Sequence, residues 1–181
     1  MQDYISFAEK NGVTLLDEGP CQFCGAQTSR GIHECLEIFN LGFQQIDFSE
    51  NENHIFRFLI VDAHTLQHPE IHGRWNNHFH LSRLHAVLHY NVQWTYQHSP
   101  MFSDFLNAHK LDKKDEVLTP PKLLERGNIT TTDVLEASTD EATCKSIVQE
   151  WATSVYESWD IHHATVDKIV TGFIKALSEK R

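Results

Sequence analysis

Cys21-x-x-Cys24-Gly25 sets two thiols at the spacing with which a short turn grips one tetrahedral metal ion. Gly25 can take the tight backbone turn that such a grip requires. Cys35 follows at the start of an expected helix, where the positive end of the helix dipole favours a thiolate. Together these residues predict a zinc knuckle, and a structural zinc needs a fourth ligand. Cys144 is remote and sits in a helical context, and His33 is close enough to Cys35 to make a strained chelate. A thioredoxin-like redox pair expects a βαβ context around its CxxC, and this stretch has none. The third reading is of three unrelated thiols.

Histidine is in excess. The chain has 13, and ten of them fall between His54 and His109, counting both ends. Such an excess suggests metal or proton chemistry. Asp62, Gln67, His68, Pro69, His78, His80, His85 and His89 crowd together, and a helix over 76–97 puts His78, His85 and His89 on one face with His80 off it. His85 lies on the apolar stripe of that helix, a position more often filled by a hydrogen-bonded core histidine than by a ligand. His162 and His163 stand mid-way along the last expected helix, where a buried imidazole must find a metal, a carboxylate such as Asp62 or Asp160, or a backbone carbonyl.

The elements that must position these residues read as all-α: a helical bundle with a small irregular knuckle at its N-terminal end. Residues 1–12 suggest a short helix stopped by Gly12, whereas 13–31 is broken by Gly and Pro and takes its order from a metal. A helix is expected from Ile32 to about Gln45, with Cys35, Ile38, Phe39 and Leu41 or Gly42 on one face. The apolar run Ile55–Val61 reads as either a buried strand or the start of a helix reaching Leu66, closed by Pro69 and Gly73. Leu81, Leu84, His85, Leu88 and Val92 mark a helix over 76–97 that Ser99-Pro100 should end. A short helix over 130–137, capped by Thr132 or Asp133, precedes a last helix from about Thr139 to Leu177. That last helix carries the stripe Val148, Trp151, Val155, Trp159, His162, Val166, Ile169, Phe173 and Leu177. The whole chain, 1–181, is read as one domain: a knuckle over 13–35, bundle helices over 36–110 and 133–178, and a long mobile connection over 111–132.

Composition narrows the function classes. A net charge of -10 disfavours nucleic acid and anionic membranes, and the densest basic stretch, Lys110–Lys114, is interrupted by Asp112 and followed by Asp115 and Glu116. No apolar run is long enough for a transmembrane helix, and the first residues do not resemble a signal peptide. The expected location is therefore cytoplasmic, where close cysteines serve as metal ligands or catalytic thiols rather than disulfides.

Cys-x-x-Cys-Gly-Ala, Cys35-Leu-Glu-Ile-Phe, Val61-Asp62-Ala-His64-Thr-Leu-Gln67-His68-Pro69 and Trp159-x-x-His162-His163-Ala-Thr-Val occur in this order. The chain thus resembles an uncharacterised bacterial family with a CPGCGA-like knuckle, a VDAYxxQHP segment and a WxxHHxxV helix. The resemblance covers about residues 20–95 and 145–170. It departs at Gln22 and Phe23, where the family has Pro and Gly, and at His64, where it has an aromatic. It implies that Asp62, His68, His80 and His163 matter as a set, and it implies no reaction.

Two arrangements follow. In one, Cys21, Cys24, Cys35 and His68 hold a single zinc, with Pro69 fixing the chain just after the ligand. In the other, the cysteines hold one zinc while His68, His80 and His163 gather a catalytic-type metal near Asp62. The first suits a binding module or accessory subunit for a protein or peptide partner, for instance within a larger modifying enzyme. The second suits a metal-dependent hydrolase or transferase. No nucleophile motif, phosphate loop or HExxH is present to support an enzyme further.

Overall fold

The computed structural model describes residues 4–41, 45–110 and 117–179. Among these, eight α-helices and no strands are found. They are α1 (Tyr4–Lys10), α2 (Gly31–Leu41), α3 (His54–Gln67), α4 (Arg74–Leu88), α5 (His98–His109), α6 (Thr131–Ala137), α7 (Glu141–Ser158) and α8 (His163–Ser178). No described helix is long and apolar enough to cross a membrane.

The apolar run after His54 is helical, not extended: α3 buries Phe58, Leu59, Ile60 and Leu66 around most of its circumference. It packs against α7 and α4, and α4 in turn packs against α8. Leu59, Leu66, Leu81, Leu84, Trp151 and Trp159 form the principal core. Phe79, Trp94, Phe102, Leu106 and Phe173 form a second core against α5 and α8.

Three helix boundaries differ from the sequence-based expectation, each for a local reason. α4 stops at Leu88 because Asn91 adopts a left-handed conformation with φ 52°. The Val92 N–H then returns to the Ala86 carbonyl at 3.0 Å, satisfying the helix end. Ser99-Pro100 opens α5 instead of ending α4; in the first turn of a helix, proline's missing N–H costs nothing. The last helix is two, because a 3-10 turn at Asp160–His162 separates α7 from α8. That break lets His162 Nε2 reach the Thr119 carbonyl at 2.9 Å.

Capping of α6 falls two residues before Thr132 and three before Asp133, the expected positions. Thr130 is the N-cap and exchanges hydrogen bonds with Asp133. The expected extension of α2 to Gln45 passes through 42–44, outside the described residues, as do 111–116 of the long connection. The described remainder of that connection is fastened: Leu118 and Arg126 are buried, and Arg126 bonds the Gln67 carbonyl at 3.0 Å and the Glu70 carboxylate at 2.5 and 2.7 Å.

The segment between α1 and α2 has no helix or strand, only an isolated bridge between Gly19 and Arg30. It is closed by Gly31, whose N–H bonds the Gly19 carbonyl at 2.9 Å and whose φ is 53°. A Cβ at Gly31 would stand 2.1 Å from the Leu16 carbonyl oxygen. Gly31→Ala is therefore expected to cost about 2–5 kcal/mol, combining backbone strain with a clash that the main chain must relieve. Gly12 shares a positive φ of 70°, but a Cβ there would meet nothing within 4 Å. Gly12→Ala should accordingly cost only about 1–2 kcal/mol. Chemical denaturation of the two variants checks that order.

Candidate metal centre

Cys21, Cys24 and Ala26 sit in a tight loop in which the Gly25 N–H bonds the Cys21 carbonyl at 2.8 Å and the Cys21 N–H bonds the Ala26 carbonyl at 3.0 Å. Gly25 takes φ 80°, the left-handed turn that its position after the second cysteine required. Cys35 comes from the second turn of α2, and His68 caps the C-terminus of α3. All four are buried, with relative exposures of 1, 8, 0 and 0% for Cys21, Cys24, Cys35 and His68. Their ligand atoms lie within 4.8 Å of one another.

The spacing fits a tetrahedral ion. Sulfurs at about 2.3 Å from such an ion stand about 3.8 Å apart, and a sulfur and an imidazole nitrogen at about 2.0–2.1 Å stand about 3.5 Å apart. Here Cys24 Sγ is 3.8 Å from Cys35 Sγ. His68 Nε2 is 3.4 Å from Cys21 Sγ and 3.5 Å from Cys35 Sγ. His68 Nδ1 donates to the His64 carbonyl at 2.6 Å, which turns Nε2 toward the sulfurs. Thr131 Oγ1 lies 3.4 Å from Cys35 Sγ, and Phe23 packs edge-on against the His68 ring. Residues Cys21, Cys24, Cys35 and His68 can therefore hold a metal. His33 turns elsewhere, its Nδ1 2.7 Å from the Tyr4 hydroxyl, and Cys144 lies in the principal core.

Without a metal, this set shares protons unevenly. Hydrogen bonds from Cys24 and Cys35 hold the Cys21 thiol well below its ordinary range, and bonds to Cys21 and Cys35 push Cys24 up. Burial would lower His68, but the Cys35 and Cys21 sulfurs outweigh it and raise it to about 10.

The other candidate residues do not join this centre, and His68, His80 and His163 do not converge among the described residues. Asp62 is fully buried and is met by Arg83, whose Nε and Nη2 approach its oxygens at 2.9 and 2.5 Å. His80 Nδ1 donates to Asp62 Oδ1 at 2.6 Å, and burial holds His80 below its usual range despite that carboxylate. The Arg83 guanidinium lies over the Phe58 and Phe79 rings, 4.8 and 5.0 Å from their centroids. His163 is on α8, where it stacks on Tyr156 at 4.0 Å and bonds the Tyr156 carbonyl.

Three residues that the sequence did not single out prove structural hubs or site members. Arg83 was invisible because its partner lies on another helix. Arg126 was hidden in the connection, although Gln67, named in the motif, binds its carbonyl and the indole N–H of Trp151. Asp167 is the third: it meets His85 at 3.2 Å.

The fold and centre define an all-helical protein whose irregular N-terminal segment closes around a buried set of three cysteines and one histidine. Residues 19–160 match the family of unknown function DUF5946, and the chain belongs to that family. No curated protein and no solved structure matches it.

The centre's proton balance and its neighbouring ion pair can each be tested. Because His68 in the metal-free protein keeps its proton up to about pH 10, a metal must displace that proton. Apparent metal affinity should rise by at least about tenfold per pH unit between pH 6 and 8, with proton release measurable in buffers of different ionisation enthalpy. Separately, Asp62→Ala strands the buried Arg83 charge and should cost about 3–5 kcal/mol in denaturant unfolding while leaving metal content unchanged.

Proposed function

We propose that this chain is a cytoplasmic zinc-binding helical module that acts as an accessory subunit for a protein or peptide partner, of the kind that a larger modifying enzyme would use. The observation that carries this reading is closure of the centre. Its four donors are buried and lie within 4.8 Å of one another, and four protein ligands would leave a tetrahedral ion no coordination position for a substrate. A metal held in that way contributes to folding rather than to a reaction. Zinc suits the donor set, since thiolates with one imidazole in tetrahedral array favour an ion without redox chemistry. Free, buried cysteines suit a reducing compartment.

A surface for the partner lies beside the centre. A cleft of about 620 Å³ is lined by Tyr4, Arg30, His33, Leu36, Glu37 and His72, among others. Its walls come from α1, α2 and the turn after His68; α2 carries the donor Cys35, and the turn follows directly on the donor His68. Burial lowers His72 to about 3, so its imidazole is neutral, and its Nε2 is buried with no hydrogen-bond partner among the described residues. An acidic chain of net charge -10 suits a basic partner. The alternative, a hydrolase or transferase built on Asp62, His80 and His163, gains little support. Asp62 is neutralised by Arg83, and His163 lies apart from both.

Exposed Glu37 and Asn40 allow a test that spares the fold. A partner identified with the zinc-loaded protein and rebuilt from purified components should bind Glu37→Arg/Asn40→Arg at least about tenfold more weakly, a change of about 1.4 kcal/mol. It should bind the distant surface variant Lys168→Ala normally. Equal binding by both variants would sink the reading.

A further inference from the structure

A second group of side chains that can ligate a metal comes from the end of α4 and from α8, elements that carry none of the cysteine centre's donors. His85 is in the last turn of α4, His89 caps that helix, and Asp167 faces them from α8. The two histidines are four residues apart, so their rings lie on one face and stack, with centroids 4.8 Å apart at 22°. His85 Nε2 is 3.2 Å from Asp167 Oδ1. The three ligand atoms lie within 4.8 Å of one another. We propose that His85, His89 and Asp167 form an open divalent-metal site, distinct from the cysteine centre and completed by solvent.

The surroundings fit an ion as well as they fit a hydrogen bond. In the metal-free arrangement the carboxylate can only accept, so His85 carries its proton on Nε2, and Nδ1 accepts from the Tyr156 hydroxyl at 2.8 Å. A metal on Nε2 shifts that proton to Nδ1. The Tyr156 hydroxyl, being both donor and acceptor, then accepts it, so the ring stays satisfied and neutral in either form. Tyr156 is itself held by the His163 ring stacked on it. Tyr90 donates to Asp167 Oδ1 at 2.5 Å and so fixes the orientation of that carboxylate. These are the outer contacts that orient metal-bound imidazole and carboxylate.

The site differs from the cysteine centre in what it leaves free. His85 is buried, Asp167 is half-buried and His89 is exposed. Three protein donors on one side leave solvent-facing positions, as in sites where a metal binds water or an anionic ligand. Two imidazoles and a carboxylate suit zinc, cobalt, nickel or ferrous iron rather than calcium or magnesium. The inference does not depend on the partner-binding role. It requires only that the cysteine centre be loaded first, so that the two sites can be counted separately.

The test is a cobalt(II) titration of tag-free, zinc-loaded protein. One further ion per chain is expected, with the weak visible absorption of nitrogen and oxygen ligands and without the intense near-ultraviolet band of cobalt–thiolate bonds. His89→Ala and Asp167→Asn should each weaken this binding at least about tenfold while leaving tightly bound zinc and helical content unchanged. His89 is exposed, so its loss does not endanger folding. The proposal is overturned if no further ion binds saturably, or if the ion binds equally well to both variants. A cobalt–thiolate band alone also overturns it, since it would place the ion at the cysteines.

Discussion

The convergence of Cys21, Cys24 and Cys35 on His68 is the constraint on which the N-terminal third of the fold depends. Between α1 and α2 the chain has almost no regular hydrogen bonding, and the cluster around it is small: Ala8, Phe23, Ala26, Ile32 and Ile71 with the cysteines. Ordering so irregular a segment costs backbone entropy that this little apolar burial does not offset. A metal tie held by these four residues would offset it, because ligand binding and folding of such a segment are one equilibrium. His68 links the tie to the bundle. It caps α3, its Nδ1–H satisfies the otherwise orphaned His64 carbonyl, and its other nitrogen faces the sulfurs. Pro69 then prevents the helix from running on.

A second set of buried polar contacts fixes how the helices register with one another. Asp62 on α3 meets Arg83 on α4, Arg83 Nη1 reaches Ser99, and Ser99 accepts from the Trp94 indole. Gln67, at the end of α3, bonds the Arg126 and Ile129 carbonyls and the Trp151 indole on α7. Such contacts add little net stability over an apolar core, but an alternative packing would leave a buried charge or amide unmet. They work by excluding wrong arrangements. The Asp62 and Gln67 positions in one motif therefore read as architecture: they hold α3 in register with α4 and α7.

The sequence made the centre legible because its signal is local. CxxC-Gly, a thiol at a helix start and a histidine before a proline are short-range patterns with a physical meaning each. Helix content was legible from periodicity, though not at the ends: Asn91 in its left-handed turn and Ser99-Pro100 in a first turn are decided by a few backbone hydrogen bonds that apolar spacing does not encode. The apolar run of α3 could not be told from a strand, because a segment buried on most sides has no period to read. Arg83 and Asp167 were not legible at all, since each gains its meaning from a partner on another helix.

The histidine excess resolves into different environments rather than one site. His162 and His163 each bond a backbone carbonyl, the bland outcome for an imidazole on an apolar seam. His80 completes a buried carboxylate, His68 faces thiols, and His85 with His89 faces a carboxylate near solvent. The contrast between the last two is one of accessibility. A buried donor set saturates its ion and can only hold structure together, whereas a half-exposed set leaves positions to be filled from outside. The family match spans 19–160, so it takes in the cysteines, His68, His85 and His89 but ends before Asp167. The closed centre thus lies wholly inside the matched region, and the open cluster draws its carboxylate from α8, beyond it.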